Sequence, residues 1–391
     1  MPRTAAYNIA DLQAAARRRL PGVVWRYIEG GAEDEVTLRA NRAAFEALHF
    51  TPRTLVDVSR RSQKVTVLGV PFDSPFGVSP MAPLGLTRYE ADIALARAAR
   101  AANVPFVLST HAFVPLSRVA SESGGAPWLQ LYLPIDRARA KAELERIREA
   151  GCEVLVLTTD VTVRGNREYN ERNGFGVPLR LSWRSIAEGL AHPRWLVDVY
   201  LRSILGRRLG ESRTRRDLHD WNDFVWMRAA WPGKLIIKGI LSAEDARLAV
   251  QHGADGILIS NHGGRQLDGA ASTLDVLPEI AAAVGERIAI FVDGGIRRGA
   301  DIVKALALGA DMAFVGRAAL YGVAAGGEAG ARRALQILKT EVDRVLALVG
   351  CNSIDELGPH FVGGARSDPE QRPLGAKPTI VRLGGGERQA P

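Results

Sequence analysis

Eight short apolar runs, most separated by a helical pattern, constrain this chain more than any other feature. They span residues 76–82, 105–109, 128–132, 154–160, 235–239, 256–261, 288–293 and 313–316. Their apolar stretches do not alternate with polar residues, so each reads as a strand buried on both faces, as in a parallel sheet covered by helices. Helical spacing lies between them at 91–102, 136–150, 243–252, 273–284 and 300–308. Eight such units predict an α/β fold of the closed (β/α)8 TIM-barrel type. An open doubly wound sheet is the competing architecture. Its usual nucleotide signatures, a Gly-x-Gly-x-x-Gly turn or a P-loop, are missing from the sequence.

The rest of the chain arranges itself around these runs. Residues 9–31 carry a helical apolar face interrupted at Pro21, which is expected to start a second helix at its first turn. A third helix is expected over 33–45, so residues 1–75 read as an N-terminal helical cap. The fourth and fifth strands lie about seventy positions apart, far beyond an ordinary connection. The excess defines an insertion over 177–220 that mixes Leu, Ile, Trp and Val with many arginines. The barrel is assigned to 76–360 and an extended or mobile C-terminal arm to 361–391, all in one domain of 391 residues.

Composition narrows the classes. Hydrophobic content of 47% and charged content of 24% exclude wholesale disorder. No apolar run reaches the length of a membrane span, and the first twenty residues lack the apolar core of a signal peptide. Two cysteines, Cys152 and Cys351, cannot build a disulfide framework or a cysteine-rich metal site. A cytoplasmic protein without a metal is therefore expected. The net charge of +8 favours acidic partners without choosing among anionic substrates, nucleic acid and anionic lipid.

Barrel enzymes keep their chemistry where the strands end. Here every strand exit holds polar or glycine residues. The exits are Ser79-Pro80-Met81-Ala82, Ser109-Thr110-His111, Gln130-Leu131-Tyr132, Thr158-Thr159-Asp160, Lys238, Ser260-Asn261-His262-Gly263-Gly264-Arg265, Asp293-Gly294-Gly295-Ile296-Arg297 and Gly316-Arg317. His262 and Arg265 put a candidate base and a candidate anion clamp on one glycine turn. Asp160, two strand units earlier, is placed to orient that histidine. Gly294, Gly295 and Gly316 can offer backbone N–H groups to a phosphate, with Arg297 and Arg317 supplying charge. Against this stands a bland reading, in which the glycines are loop turns and the arginines are solvated. Lys238 is open to three readings: a Schiff-base amine if its pKa is depressed, a fixed cation beside an anionic cofactor ring, or a solvated lysine.

Over residues 7–360 the chain resembles the FMN-dependent 2-hydroxy acid dehydrogenases and oxidases. The resemblance is carried by Ser260-Asn261-His262-Gly263-Gly264-Arg265-Gln266-Leu267-Asp268 and by Asp293-Gly294-Gly295-Ile296-Arg297-Arg298-Gly299. Tyr27-Ile28-Glu29-Gly30-Gly31-Ala32-Glu33-Asp34 and Gln130-Leu131-Tyr132 support it. It implies FMN as cofactor and oxidation of an (S)-2-hydroxy acid, mandelate-like or lactate-like, to the 2-oxo acid. Electrons would pass to a quinone or another carrier, or, in the alternative, to O2 with release of H2O2. By the same resemblance His262 is the base, Asp160 its partner, and Tyr132 a ligand of the reacting oxygen. Arg265, Arg167 and Tyr27 would grip the substrate carboxylate, and His111 would shape the substrate pocket. Lys238 would face the flavin N1–C2=O edge. Pro80, Met81, Ala82, Ser109, Gln130, Thr158 and Ser260 would line the flavin. Asp293 would hold the ribityl chain, and Gly294, Gly295, Arg297, Gly316 and Arg317 the phosphate.

His111 and the pair Met81-Ala82 depart from the family's commoner residues, which leaves the substrate and the oxygen reactivity open. A homotetramer is implied. Leu190-Ala191-His192-Pro193-Arg194-Trp195-Leu196 resembles the membrane-contacting loop of the mandelate dehydrogenase branch. The insertion is therefore expected either to meet an anionic membrane surface, on the inner face of the cytoplasmic membrane, or to act as a lid. A Schiff-base aldolase using Lys238 and a basic barrel binding membrane or nucleic acid are the rival classes. Neither accounts for Asp160, Arg167, His262 and Arg265 together, so no nucleic-acid partner is expected.

Overall fold

The computed structural model describes residues 6–173, 183–204 and 219–364. Eight parallel strands form one sheet: β4 (Phe76–Val78), β5 (Val107–Ser109), β6 (Trp128–Leu131), β7 (Val154–Thr158), β8 (Lys234–Ile240), β9 (Gly256–Ile259), β10 (Ala289–Val292) and β11 (Met312–Val315). The sheet order is β4-β11-β10-β9-β8-β7-β6-β5. A parallel bridge between Val78 and Phe106 joins the two ends, so the sheet closes into the expected barrel.

The residues of each strand divide between two environments with a period of two. Leu108, Leu129, Leu155, Leu157, Ile237, Ile257, Ile259, Ile290 and Val292 point outward into the main core shared with the helices. Val107, Val154, Val156, Ile236, Leu258, Phe291, Met312 and Phe314 form a second, interior cluster. Two positions beyond the last interior residue of each strand stands a ring residue at the C-terminal mouth: Ser79 after Gly77, then Ser109, Gln130, Thr158, Lys238, Ser260, Asp293 and Gly316. The apolar plug and the polar ring are thus successive layers of one inward-facing row.

The N-terminal region splits between the two ends of the barrel. A hairpin of β2 (Val65–Val67) and β3 (Val70–Phe72) adds Val67 and Phe72 to the interior cluster and seals the base. Helices α1 (Ile9–Arg19), α2 (Gly22–Glu29) and α3 (Val36–Ala47) follow the predicted pattern. Pro21 stands just before α2 in extended conformation instead of inside its first turn. The C-terminal arm needs correction at its start. Val362–Gly364 is strand β12, paired antiparallel with β1 (Leu48–Phe50), and the remainder of the arm lies outside the described residues.

Part of the insertion is also ordered by packing. It contains helices Trp183–Ala191 and Pro193–Trp195 and a π-helical turn Leu196–Ile204. Trp195 and Val199 are buried in the main core. The rest of residues 177–220, apart from 219 and 220, lies outside the described residues.

Candidate active site

The turn after β9 brings the predicted base to its partner. His262 Nδ1 donates to the Asp160 carboxylate, with oxygens at 3.0 and 3.1 Å. This leaves Nε2 as the ring nitrogen that can accept a proton. His262 sits in the left-handed region at φ 58°, a conformation costly for a side-chain-bearing residue. Two contacts hold it there: the Asp160 bond, and its own N–H donating to Ser260 Oγ at 3.1 Å. Beside Asp160, β8 bulges between Lys238 and Ile240. Gly239, at φ 113°, forms that bulge, and a Cβ there would stand 2.7 Å from Asp160 Cβ.

Lys238 completes the cluster. Its Nζ donates to Ser260 Oγ at 2.8 Å and lies 3.5 Å from Asp160 Oδ2. The charges divide in a defined way. Burial disfavours the Lys238 ammonium, but Asp160 and Asp293 outweigh it and raise the pKa above the ordinary lysine value. Burial likewise pushes the Asp160 carboxyl up, while His262 and Lys238 pull it down to about 2. His262 keeps 22% of its side chain open to the mouth, yet crowding by protein lowers its pKa, with Asp160 opposing and Lys238 assisting. At neutral pH the site therefore holds a carboxylate shared by a neutral imidazole and an ammonium. A Schiff-base lysine needs a depressed pKa; the ion pair of Lys238 with Asp160 favours the ammonium instead and speaks against the aldolase reading.

Beside this cluster are arginines whose partners are neutral. Arg265 Nη1 donates to the carbonyls of Tyr27 at 2.8 Å and Gly30 at 2.7 Å, and its guanidinium lies 4.9 Å from the Tyr27 ring centre. Arg167 donates to Arg265 O and to Gln266 Oε1. Arg317 donates to Ile28 O at 2.9 Å. Among the described residues, none of Arg167, Arg265, Arg297 and Arg317 has a carboxylate within ion-pair distance. Burial first, and then repulsion by Arg265, lower Arg167 to about 10. Burial, Arg297 and Arg265 lower Arg317 to about 9. Such a group of cations is a site for anions.

The polar ring also contains atoms in want of partners. Ser109 Oγ donates to Gln130 Oε1 and Ser79 Oγ to Asp293 Oδ2. Gln130 Nε2, Thr158 Oγ1 and Asp293 Oδ1 are buried with no hydrogen-bond partner among the described residues. Unsatisfied buried polar atoms are rare and costly in a native protein. Three of them around one ring suit a planar, polar ligand at the mouth, and Gly316 and Arg317 would suit a phosphate on it. FMN has that form.

Most of the predicted site converges here. Tyr27 donates its hydroxyl to Ala82 O at 2.9 Å, and the Tyr132 ring lies 5.0 Å from that of His111. Arg297 turns back on Ile296 O and sits 5.9 Å from the Tyr321 ring centre. Sequence reasoning missed three supports. Ser79 was identified as an exit residue without a role, although its place in the period-two row signals one. Gln266 bonds Asp160 O, Val163 O, Gly165 N–H and Arg167 at once, bracing Asp160 and Arg167 together. Asn41 and Asn261 exchange amide hydrogen bonds at 2.9 and 2.8 Å, tying α3 to the turn that carries His262.

Comparison with known proteins agrees with this geometry. Residues 16–363 match the family model described as FMN-dependent dehydrogenase. The chain is 41% identical to (S)-mandelate dehydrogenase of Pseudomonas putida, over 91% of this chain and 93% of that protein. It is 40% identical to L-lactate oxidase of Nostoc sp., over 91% of this chain and 97% of that protein. The crystal structure of the monotopic membrane protein (S)-mandelate dehydrogenase superposes with a TM-score of 0.87 at 40% identity, covering 92% of this chain and 99% of that one. The chain belongs to the family of FMN-dependent 2-hydroxy acid dehydrogenases and oxidases, and FMN is its cofactor.

Proposed function

We propose that the protein oxidises an (S)-2-hydroxy acid to the 2-oxo acid, with a mandelate-like or lactate-like substrate and a quinone or another carrier as final acceptor. The observation that carries this reading is His262 bonded to Asp160 at 3.0 Å, on a turn that also carries Arg265, with Arg167 beside it. A hydroxy acid arrives as an anion. Arg265 and Arg167 bind its carboxylate with directional bonds, and Tyr27 assists when its hydroxyl turns from Ala82 O to the carboxylate. Tyr132 holds the oxygen that becomes the keto group, while His262 Nε2 takes up the substrate proton. Asp160 stabilises the imidazolium that results. FMN, when bound, supplies the two-electron acceptor, and the Lys238 ammonium would be a fixed positive charge for its reduced ring. Ser109, Gln130, Thr158 and Ser260 would hold its ring edge, with Pro80, Met81 and Ala82 alongside. Asp293 would hold the ribityl chain, and Gly294, Gly295, Arg297, Gly316 and Arg317 the phosphate.

Relatives named as oxidases support a second reading in which O2 is the acceptor and H2O2 the product. Peroxide release in air, set against reduction of a quinone analogue, separates the two. The insertion supports a peripheral seat on an anionic membrane, since Leu190 and Val197 are 66% and 57% exposed on it. Among the described residues no helix is long and apolar enough to cross a membrane. Cosedimentation with anionic vesicles tests this, and sedimentation velocity tests the homotetramer.

The decisive test is His262→Ala. FMN content should match the parental protein, and anaerobic bleaching of the flavin by (S)-mandelate or L-lactate should fall by at least about 10²-fold, the lower end for losing a positioned base. Bleaching at the parental rate would overturn the assignment.

A further inference from the structure

Helix α2 carries Tyr27 in its last turn, but its own N-cap, Pro21, provides no side-chain acceptor for the first turn. The insertion supplies one. Glu188, on helix Trp183–Ala191, accepts a hydrogen bond from Val23 N–H at 2.9 Å. A carboxylate at that end also suits the helix dipole. A second anchor lies seven residues on. The buried Trp195 donates its indole N–H to Leu86 O at 2.8 Å. Leu86 ends the 3-10 turn Leu84–Leu86, which follows Ala82 and Pro83 at the barrel mouth. The Tyr27 hydroxyl donates to Ala82 O. The insertion thus grips both elements that Tyr27 joins: the start of its helix, and the turn beside its hydrogen-bond acceptor. A salt bridge from Arg19 to Asp198 at 3.2 Å fixes the end of α1 to the same segment.

We infer that Glu188 and Trp195 are positioning residues for Tyr27, so that the insertion sets how tightly the site holds the substrate carboxylate. The inference rests on the proposed role of Tyr27 at that carboxylate. Its physical content is specific. A contact to the carboxylate is made alike in the ground state and in the transition state, so loosening it raises KM and leaves kcat nearly intact.

The experiment uses the full-length holoprotein with (S)-mandelate and L-lactate: steady-state turnover with a quinone analogue as acceptor reads KM and kcat, and anaerobic flavin bleaching reads reduction. Glu188→Ala should raise KM about fivefold, the size of effect expected for a lost helix cap, with FMN content and the visible spectrum unchanged. Glu188→Gln, whose amide oxygen can still accept from Val23, should restore most of the affinity. Trp195→Phe keeps the ring and loses the N–H, and should raise KM in the same direction. In a Tyr27→Phe background the Glu188→Ala effect should shrink to less than twofold, because the group being positioned is gone. An unchanged KM in Glu188→Ala overturns the inference, as does a fivefold rise that persists in the Tyr27→Phe background. The parental protein reads the proposed function separately. If neither acid nor any other 2-hydroxy acid bleaches it, that function fails and the inference falls with it. Parental bleaching with an unshifted Glu188→Ala variant sinks only the positioning role.

Discussion

Replacing Asp160 by Asn removes one charge from the middle of the site and leaves its shape nearly unchanged. The asparagine carbonyl can still accept from His262 Nδ1, so the ring keeps its tautomer. What is lost is the attraction between the carboxylate and the imidazolium formed when Nε2 takes the proton. At the 3.0 Å separation, two unit charges in surroundings of effective dielectric ~20 interact by about 5 kcal/mol. Lys238 moderates this figure, because it already draws on the same carboxylate from 3.5 Å. A net loss of roughly 3–5 kcal/mol corresponds to a fall of about 10²–10⁴ in the rate of flavin bleaching. The assay is anaerobic stopped-flow at saturating hydroxy acid, with FMN content measured on the same sample. Binding of the hydroxy acid should change far less than the rate, since the arginines are untouched. A variant that bleaches within threefold of the parental rate refutes the role given to the carboxylate. A variant that loses its FMN would instead show that Asp160 acts chiefly by holding Lys238 in place.

Other perturbations test separate parts of the structure. Arg265→Lys replaces a fork bonded to Tyr27 O and Gly30 O with a point charge, and KM should rise on the order of 10–100-fold with a smaller change in kcat; steady-state titration reads both. Gly264→Ala places a Cβ 2.6 Å from the Leu38 backbone at φ 75°, which should cost on the order of 3 kcal/mol and lower the calorimetric Tm by several degrees. In the pH profile of kcat/KM, His262 must be neutral to act, and its pKa is lowered by burial. Activity should therefore fall on acidification with a midpoint below the ordinary histidine value of 6.5, and a midpoint above it contradicts the described surroundings. Asp160, held at about 2 against an ordinary 3.8, has a depressed folded pKa. It contributes roughly 2 kcal/mol of stability that is fully present above pH ~4 and lost as pH falls toward 2, which denaturant titration across that window can follow.

The barrel was legible because its strands are apolar on both faces and end in polar residues, a pattern that survives in sequence without any knowledge of contacts. The mouth was legible for a related reason. Residues such as Thr158, Lys238 and Asp293 each lie two places beyond an apolar residue that faces the interior, so one inward-facing row changes character where the strand ends. The strands outside the barrel were not legible. β1, β2, β3 and β12 lie outside the strand–helix alternation and are defined by their partners, not by a pattern of their own. The helix Arg317–Val349 was missed because its small residues, around the kink at Gly327, blur the apolar spacing. Braces such as Gln266, and the Asn41–Asn261 pair at a separation of 220 residues, depend on the fold being already in place. The insertion was ambiguous for a different reason. A lipid surface and a protein core both ask for Trp, Leu and Val, and only the burial of Trp195 and Val199 decides which of its apolar residues serve the core.

Charge divides the mouth into two ends suited to different anions. Lys238 is balanced by Asp160 within the protein, so that pair needs no outside partner. Arg317, depressed to about 9 by burial and by Arg297, favours an anion at the β11 end. Arg167, depressed to about 10 by burial and by Arg265, favours another at the His262 end. Arg265 contributes repulsion to both groups, so an anion at either end relieves strain that the other end also feels. A phosphate suits the end with glycine N–H groups. A carboxylate suits the end with two forks and a base. This arrangement predicts discrimination by charge rather than by the group beyond the α-carbon. A neutral 2-hydroxy amide or ester of the same shape would leave Arg167 and Arg265 facing each other without a counter-ion. Leaving a buried charged group unpaired costs on the order of 1–3 kcal/mol or more, so such a compound should bind at least about tenfold more weakly than the acid. Equal affinity for acid and amide, read by competition in the bleaching assay, would contradict the placement of the substrate carboxylate between the two arginines.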